Sequence, residues 1–433
     1  MTFPSDESQI DGWLRTGLVV GAAAGHVTLR MPGCVPGSLV SIESRSGPVL
    51  AQVRAVDGGN VRCAPLDERA ECAPGNRAAG VGARAGAFVG HALLGSAADG
   101  WGRTEATDTT SAEVVRADPP PPLPSQRGVI CRSMRTTVGA IDAFAPIGFG
   151  QRIALFAGAG VGKSTLVRRI LTAAPVHARV FALVGERGRE ARESIDALRN
   201  SRTWPSTSVV CAPAGTSALE RVAALHTATA QAEWLCARGL DVLLVVDSIT
   251  RAAHAWRELA LSSGESPSHH GYPPSVAANL ASVVERAGAR RTGSITGIYA
   301  VLVDADDLRE PVSDALRGML DGHVVLDRGL SDAGRYPPID VLRSLSRLAP
   351  VLSSPEHRSD AALARRALDA LDRAQDLLAI GAYRPGGDPL LDAALAARPA
   401  LEALIFDGDG SVAEPDVTVR LRQAVAGLRS FAA

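Results

Sequence analysis

The sequence predicts an α/β core with a small antiparallel β-barrel before it and a helical region after it. Three observations predict this. Short β-type runs separated by glycine fill the first hundred residues. Apolar strand-like runs alternate with helical stretches from about Ile141 to Pro350. Beyond Pro355 the chain is amphipathic and poor in strand formers. At 433 residues it is also too long for one simple core, so several domains are expected.

Each element follows in order. "GLVVGAAAGHVTLRM", "GSLVSIES" and "PVLAQVRAV" alternate apolar and polar residues between turn residues, the pattern of a small barrel. "RADPPPPLPSQRG" (Arg116 to Gly128) is a stiff connector, because proline fixes φ and lacks the amide hydrogen that a helix or central strand needs. "RIALFA", "RVFALVG", "VLLVVD" and "GIYAVLV" are strand-like and alternate with helical runs such as "SALERVAALHTATAQAEWLCARG", which indicates a parallel sheet with crossover helices. "SDAALARRALDALDRAQDLLAIGAY" and "PDVTVRLRQAVAGLRSF" end the chain as helices. The domains expected are residues 1–100 (barrel), 101–128 (linker), 129–352 (α/β core) and 353–433 (helical).

Composition narrows the class. Hydrophobic residues make up 46% and charged residues 21%, and the net charge is −1, which argues against a nucleic-acid backbone as the dominant partner. The six cysteines form no C-x-x-C pair, so they read as reduced thiols of a cytosolic protein. The first residues lack the charged and apolar regions of a secretory signal, and no apolar run approaches the roughly 20 residues of a membrane span. Any membrane association is expected to come through partners.

Of the 45 basic residues, 44 are arginine; the one lysine is Lys163, in "GAGVGKST". That stretch, Gly158, Ala159, Gly160, Val161, Gly162, Lys163, Ser164 and Thr165, follows a strand and opens a helix. Such a loop aims backbone N–H groups and the positive end of a helix at one spot, as phosphate requires. Lysine reaches the β- and γ-phosphates as a compact charge that the bulkier planar fork of arginine does not reproduce, and Ser164 offers a hydroxyl to Mg²⁺. Ala157 stands where the strict pattern has its first glycine, which leaves the cradle glycines in place.

Two carboxylates complete a candidate site. Asp247 ends the apolar strand "VLLVVD", where a carboxylate can hold a Mg²⁺-bound water, although an aspartate there is often only a helix cap. Glu186 ends "VFALVG" and opens "ERGRE". Hydrolysis needs a group that polarises the attacking water. Taken alone, "ERGRE" reads first as a solvated charged turn.

The motifs in order resemble the ATPases of type III protein secretion, flagellar or injectisome, which are related to the catalytic subunit of rotary ATP synthases. The resemblance runs from "VGHALLGSAADGWGR" through "GAGVGKSTL", "ALVGERGRE", "LLVVDSITRAAHAWRELALSSGE" and "GYPPSVAANLASVVERAG" to "RYPPIDVLRSLSRL" and "LLAIGAYRPGGDPLLDAAL". It implies a RecA-like P-loop ATPase core in a homohexamer with ATP between subunits. It further implies Glu186 as the water-activating residue, Arg187 as a stabilising neighbour, and Arg347 as an arginine finger reaching the adjacent subunit, with Arg343 a weaker candidate. Central stalk and stator-like proteins and chaperone–substrate complexes are the implied partners, at the cytoplasmic side of the inner membrane. The injectisome is favoured over the flagellum because "ITRAAHAWRELALSSGE" is more similar to its members.

Departures from the family accompany these matches. His269 and His270 replace a basic pair in a loop that the resemblance places at the central pore, and paired histidines there read first as a solvated polar loop. Ala252 and Ala253 replace aromatics, in keeping with an aromatic content of 4%.

Two other functions are open to the sequence. A non-catalytic nucleotide-binding subunit would lack the glutamate that Glu186 supplies. A hexameric RNA translocase would need aromatic and basic residues on the barrel. Residues 1–90 offer only Phe3, Trp13 and Phe88 as aromatics, and no basic cluster.

Overall fold

Period-two alternation in the first hundred residues closes into a six-stranded barrel. Its strands β1 (Thr16–Ala23), β2 (His26–Arg30), β3 (Ser38–Ser44), β4 (Gly47–Asp57), β5 (Asn60–Pro65) and β6 (Arg77–Arg84) pair in the order β1-β2-β5-β4-β3-β6, and β6 returns to β1. Val19, Val27, Leu29, Val40, Ile42, Val53 and Val61 face inward and are buried together. Each contributes about 1.5–3 kcal/mol relative to exposure. Gly17 allows the chain to close: a Cβ there would lie 2.5 Å from the Arg30 carbonyl oxygen and 2.6 Å from Met31 Cβ. The computed structural model describes residues 15–23, 25–67, 70–104, 112–303, 309–408 and 416–431, so Phe3 and Trp13 lie outside the described residues.

After the barrel come β7 (Ser96–Ala98), β8 (Arg152–Ala157), α1 (Lys163–Ala173), β9 (Ala178–Val184), α2 (Gly188–Arg199), β10 (Thr207–Ala212) and α3 (Ala218–Cys236). β11 (Asp241–Asp247), α4 (Ile249–Ser262), α5 (Pro274–Val284), β12 (Ser294–Leu302), β13 (Gly322–Leu326) and β14 (Ile339–Ser346) complete the α/β region. The helices α6 (Pro355–Arg373), α7 (Pro389–Ile405) and α8 (Val417–Ala424) follow. The four apolar runs read as strands are strands β8, β9, β11 and β12, and the C-terminal region is helical.

The chain divides into two compact units, each gathered from separate stretches. Met1–Leu123, Ala178–Arg238 and Val246–Arg286 form the first; Pro124–His177, Gly239–Val245 and Ala287–Ala433 form the second. In the first unit β9 pairs parallel to β10, and β10 parallel to β7. Helix α3 lies on β9 and β10 and is buried nearly all round by alanines such as Ala224, Ala228 and Ala232. Its start is fixed by the Ser217 hydroxyl, which accepts the Glu220 N–H at 3.0 Å. Part of the expected linker does more than connect: Glu113–Arg116 is a strand that pairs antiparallel with Gly86–Val89. The prolines begin only after it.

In the second unit β8 pairs parallel to both β12 and β13, and β13 pairs antiparallel to β14. Helices α6, α7 and α8 pack on one another. Strand β11 is divided, with Asp241–Val245 in the second unit and Val246 and Asp247 in the first. All six cysteines are free. Among the described residues no helix is long and apolar enough to cross a membrane.

Candidate active site

The phosphate loop is built by β8, buried from Ile153 to Ala157, and by α1, which anchors Leu166, Val167, Ile170 and Leu171 in the core. Between them Gly160 (φ 78°) and Gly162 (φ 99°) take left-handed conformations that favour glycine. The start of α1 differs from those of α3 and α4. Ser217 and Ser248 cap the latter two through their hydroxyls, whereas Gly162 offers α1 no side-chain cap and its first turn holds no acidic residue. A helix start with neither a side-chain cap nor an acidic first turn suits an anion. Lys163 is buried, while Ala159, Gly160, Ser164 and Thr165 are exposed, so the loop presents its backbone and two hydroxyls outward.

Two neighbours of this loop carry no local sequence signal. The ring of Tyr336, 47% exposed, comes 3.9 Å from where a Gly162 Cβ would stand. An Arg328 guanidinium N–H donates to the Ala159 carbonyl at 3.2 Å.

In the first unit Glu186 leaves the end of β9 and is buried. Its carboxylate faces the Arg251 guanidinium at 3.6 Å, with side-chain exposures of 9% and 28%. Arg251 stands on the first turn of α4, four residues after Asp247, and also donates to the Gly185 carbonyl. Gly185 (φ 69°) permits this approach, since a Cβ there would lie 2.9 Å from Arg251 Cβ. Asp247 itself is 2% exposed at the end of β11. Glu186, Asp247 and Arg251 therefore belong to one unit, and the sequence reading missed only the arginine. Its position one helical turn beyond Asp247 is the signal that was present. Arg187, by contrast, points to solvent at 77% exposure and pairs with Glu190 at 3.2 Å. His269 and His270 are exposed with their rings 4.2 Å apart.

Arg347 lies in the second unit with the phosphate loop, and strand register fixes its place. Leu326 pairs with Ile339 and Gly322 with Ser346, so β14 runs back along β13. β13 in turn sets His323 beside Ala154 and Val325 beside Phe156 of β8. The Arg347 N–H donates to the Asp321 carbonyl and the Asp321 N–H to the Arg152 carbonyl, both at 2.9 Å. Arg347 therefore sits where β8 begins, and the phosphate loop leaves β8 at the other end. At ~3.3 Å per residue the five steps of β8 separate them by roughly 17 Å, well beyond an arginine side chain. Arg347 is exposed, donates to the Arg317 carbonyl at 3.0 Å, and among the described residues pairs with no carboxylate. Arg343, within β14, leans on Asp340 at 3.9 Å.

Ser164 in the second unit and Asp247 in the first each carry an oxygen donor of the kind a hard divalent cation takes. The described residues contain no histidine or cysteine cluster of the kind a softer metal would need.

Comparison with known proteins shows the family. The ATP synthase alpha/beta family nucleotide-binding domain matches residues 137–346, and the T3SS EscN ATPase C-terminal domain matches residues 353–421. The chain is 38% identical over 410 residues to the SPI-2 type 3 secretion system ATPase of Salmonella typhimurium, covering 94% of each. It is 38% identical over 398 residues to the flagellum-specific ATP synthase of Bacillus subtilis, covering 91% of this chain and 89% of the relative. Among solved structures, the assembled ATPase EscN of the enteropathogenic E. coli type III secretion system superposes with a TM-score of 0.88 at 34% identity, covering 96% of this chain and all of that one. EscN in complex with its central stalk EscO gives 0.84 at 34% identity, with the same coverage. An N-terminal barrel, an α/β nucleotide-binding core, a helical C-terminus and near full-length identity to these ATPases agree, and the chain belongs to the family of type III secretion and flagellar export ATPases.

Proposed function

We propose that the chain is the ATP-hydrolysing motor of a type III protein secretion system, working as a hexamer in which each nucleotide is held by one chain and acted on by the next. The observation that carries this reading is the position of Arg347. It is exposed, pairs with no carboxylate among the described residues, and stands roughly 17 Å from the phosphate loop of its own chain. This placement supports a role at a neighbouring chain's nucleotide, where the guanidinium would offset charge developing on the transferred phosphoryl group.

The remaining roles follow from the chemistry of each group. Backbone N–H groups of Gly158 to Gly162 and the start of α1 hold the phosphates, and Lys163 neutralises the β- and γ-oxygens. Glu186 orients the attacking water and accepts its proton, with Arg251 as its counter-charge. Ser164 and Asp247 would hold Mg²⁺, which when bound screens charge on the β- and γ-phosphates. The exposed ring of Tyr336 offers a flat face for the adenine base. Arg187 pairs with Glu190 in the single chain and would act as a stabilising neighbour of the site in the assembled ring.

In this reading residues 1–100, 129–352 and 353–433 act as barrel, ATPase core and helical domain, joined by 101–128. A central stalk protein is the first partner, supported by the EscN–EscO complex. Stator-like proteins and chaperone–substrate complexes complete the machine, held at the cytoplasmic face of the inner membrane. The injectisome is preferred over the flagellum on the stretch "ITRAAHAWRELALSSGE". The test is secretion by cells whose only copy carries Glu186→Gln. Export should stop while the protein persists at wild-type level; normal export would sink the motor reading.

A further inference from the structure

A buried ion pair lies away from all the residues assigned above. Arg169, on α1, forks onto Asp407, the second residue beyond α7. Nη1 donates to Oδ1 at 2.7 Å and Nη2 to Oδ2 at 2.9 Å. The two side chains are 11% and 5% exposed, and such a two-pronged pair fixes orientation as well as charge. Both belong to the second unit.

Further contacts converge on the same point. Nη1 of Arg169 also donates to the Gly408 carbonyl at 2.9 Å, and Nη2 to the Thr137 carbonyl. Thr137 has φ 63°, a left-handed conformation rare for a β-branched residue, and its own N–H is held by Asp142 at 3.0 Å. Oδ2 of Asp407 accepts the Gly139 N–H at 2.9 Å. A side chain at Gly139 is excluded, because its Cβ would lie 2.1 Å from the Leu404 carbonyl oxygen. A constrained backbone, a glycine with no room and a desolvated ion pair thus meet in one place.

The pair also closes a circuit with the phosphate loop. Arg169 is six residues along α1 from Lys163, ~9 Å of rigid helix. From Asp407 the chain passes to Gly408, whose N–H donates to the Tyr336 carbonyl at 3.1 Å. The Tyr336 ring returns to Gly162. The phosphate-side wall, α1, and the wall carrying Tyr336 are therefore tied together behind the loop by Arg169 and Asp407.

We propose that the Arg169–Asp407 ion pair is a positioning element for nucleotide binding, holding α1 and the Tyr336–Gly408 segment at the spacing that ATP requires. Nucleotide affinity then depends on a residue at the C-terminal exit of α7. The inference rests on the reading of the Lys163 loop as the ATP site.

The test uses the full chain as wild type, Arg169→Met, Asp407→Asn, the double variant, Arg169→Lys and Lys163→Ala. Binding of a fluorescent ATP analogue and steady-state ATPase rates are measured at a temperature where circular dichroism shows the variants folded. Each single variant should weaken binding and raise KM by roughly fivefold to twentyfold, with kcat changing less, and the double variant should be no worse than either. Arg169→Lys keeps the charge without the fork and should fall between. If Arg169→Met does not fold, Asp407→Asn and Arg169→Lys carry the comparison. Unchanged Kd and KM in folded variants, or losses that add in the double variant, would overturn the inference. Wild-type binding by Lys163→Ala would show instead that the phosphate-loop reading beneath it is wrong.

Discussion

Two inactive chains should make an active ring. Arg347→Ala removes the proposed finger and Glu186→Gln the group proposed to polarise water. The finger is worth about 10³-fold or more in turnover and the base about 10²- to 10⁴-fold, so each homogeneous ring should be nearly silent. Strand register puts Arg347 at the start of β8 and the phosphate loop at its end, out of reach of each other within one chain. When the two chains are co-expressed in equal amounts, a site works if its own chain has Glu186 and its neighbour has Arg347. With random placement around a ring of identical heterologous interfaces, about one site in four meets both conditions. Phosphate release per chain, measured on mixed rings of confirmed composition, should recover to roughly a quarter of wild type. Mixed rings no more active than the sum of the two homogeneous ones would refute the trans assignment. So would near-normal turnover by Arg347→Ala alone.

Three further outcomes follow from the same geometry. Lys163→Arg should lose most turnover despite keeping its charge, because the guanidinium does not fit where the buried ammonium sits; ATPase rates within twofold of wild type would contradict this. Arg251→Met leaves the Glu186 carboxylate buried without its counter-charge and should cost about 1–3 kcal/mol in denaturant unfolding while lowering kcat. The third concerns pH. Burial, and then the nearby Arg286 guanidinium, push the His226 imidazole down to about 3. The unfolded chain takes up this proton near pH 6.5 and the folded one does not, so stability falls as pH drops from about 6.5 toward 3, by ~1.4 kcal/mol per unit. His226→Phe should show an acid slope shallower by one proton in urea titrations between pH 6.5 and 5, and identical slopes would remove His226 from the account.

What the sequence disclosed depends on how local each signal is. The glycines before Lys163, the strand runs around Ala154 and Leu244, and the barrel alternation are patterns a few residues long, and all appear as expected. Arg251 was harder to see, since its meaning rests on Gly185 and Glu186, more than sixty residues away. Arg187 came from the family resemblance alone, and in the single chain it precedes α2 and turns outward to Glu190. The strand Glu113–Arg116 was hidden by the prolines behind it. Arg169 and Asp407 lie 238 residues apart, and nothing local to either marks the pair. Arg347 stands between these cases: the family resemblance suggested a finger, and the register of β14 keeps it away from its own phosphate loop.

If Arg347 acts in trans, hydrolysis requires a neighbouring chain. Specific ATPase activity measured against protein concentration, with molecular mass followed by light scattering on the same samples, tests it most directly. Activity per chain should rise steeply as the mass passes from one chain to the ring, and the isolated chain should be nearly inactive. Constant activity per chain across samples shown to be monomeric would contradict the account.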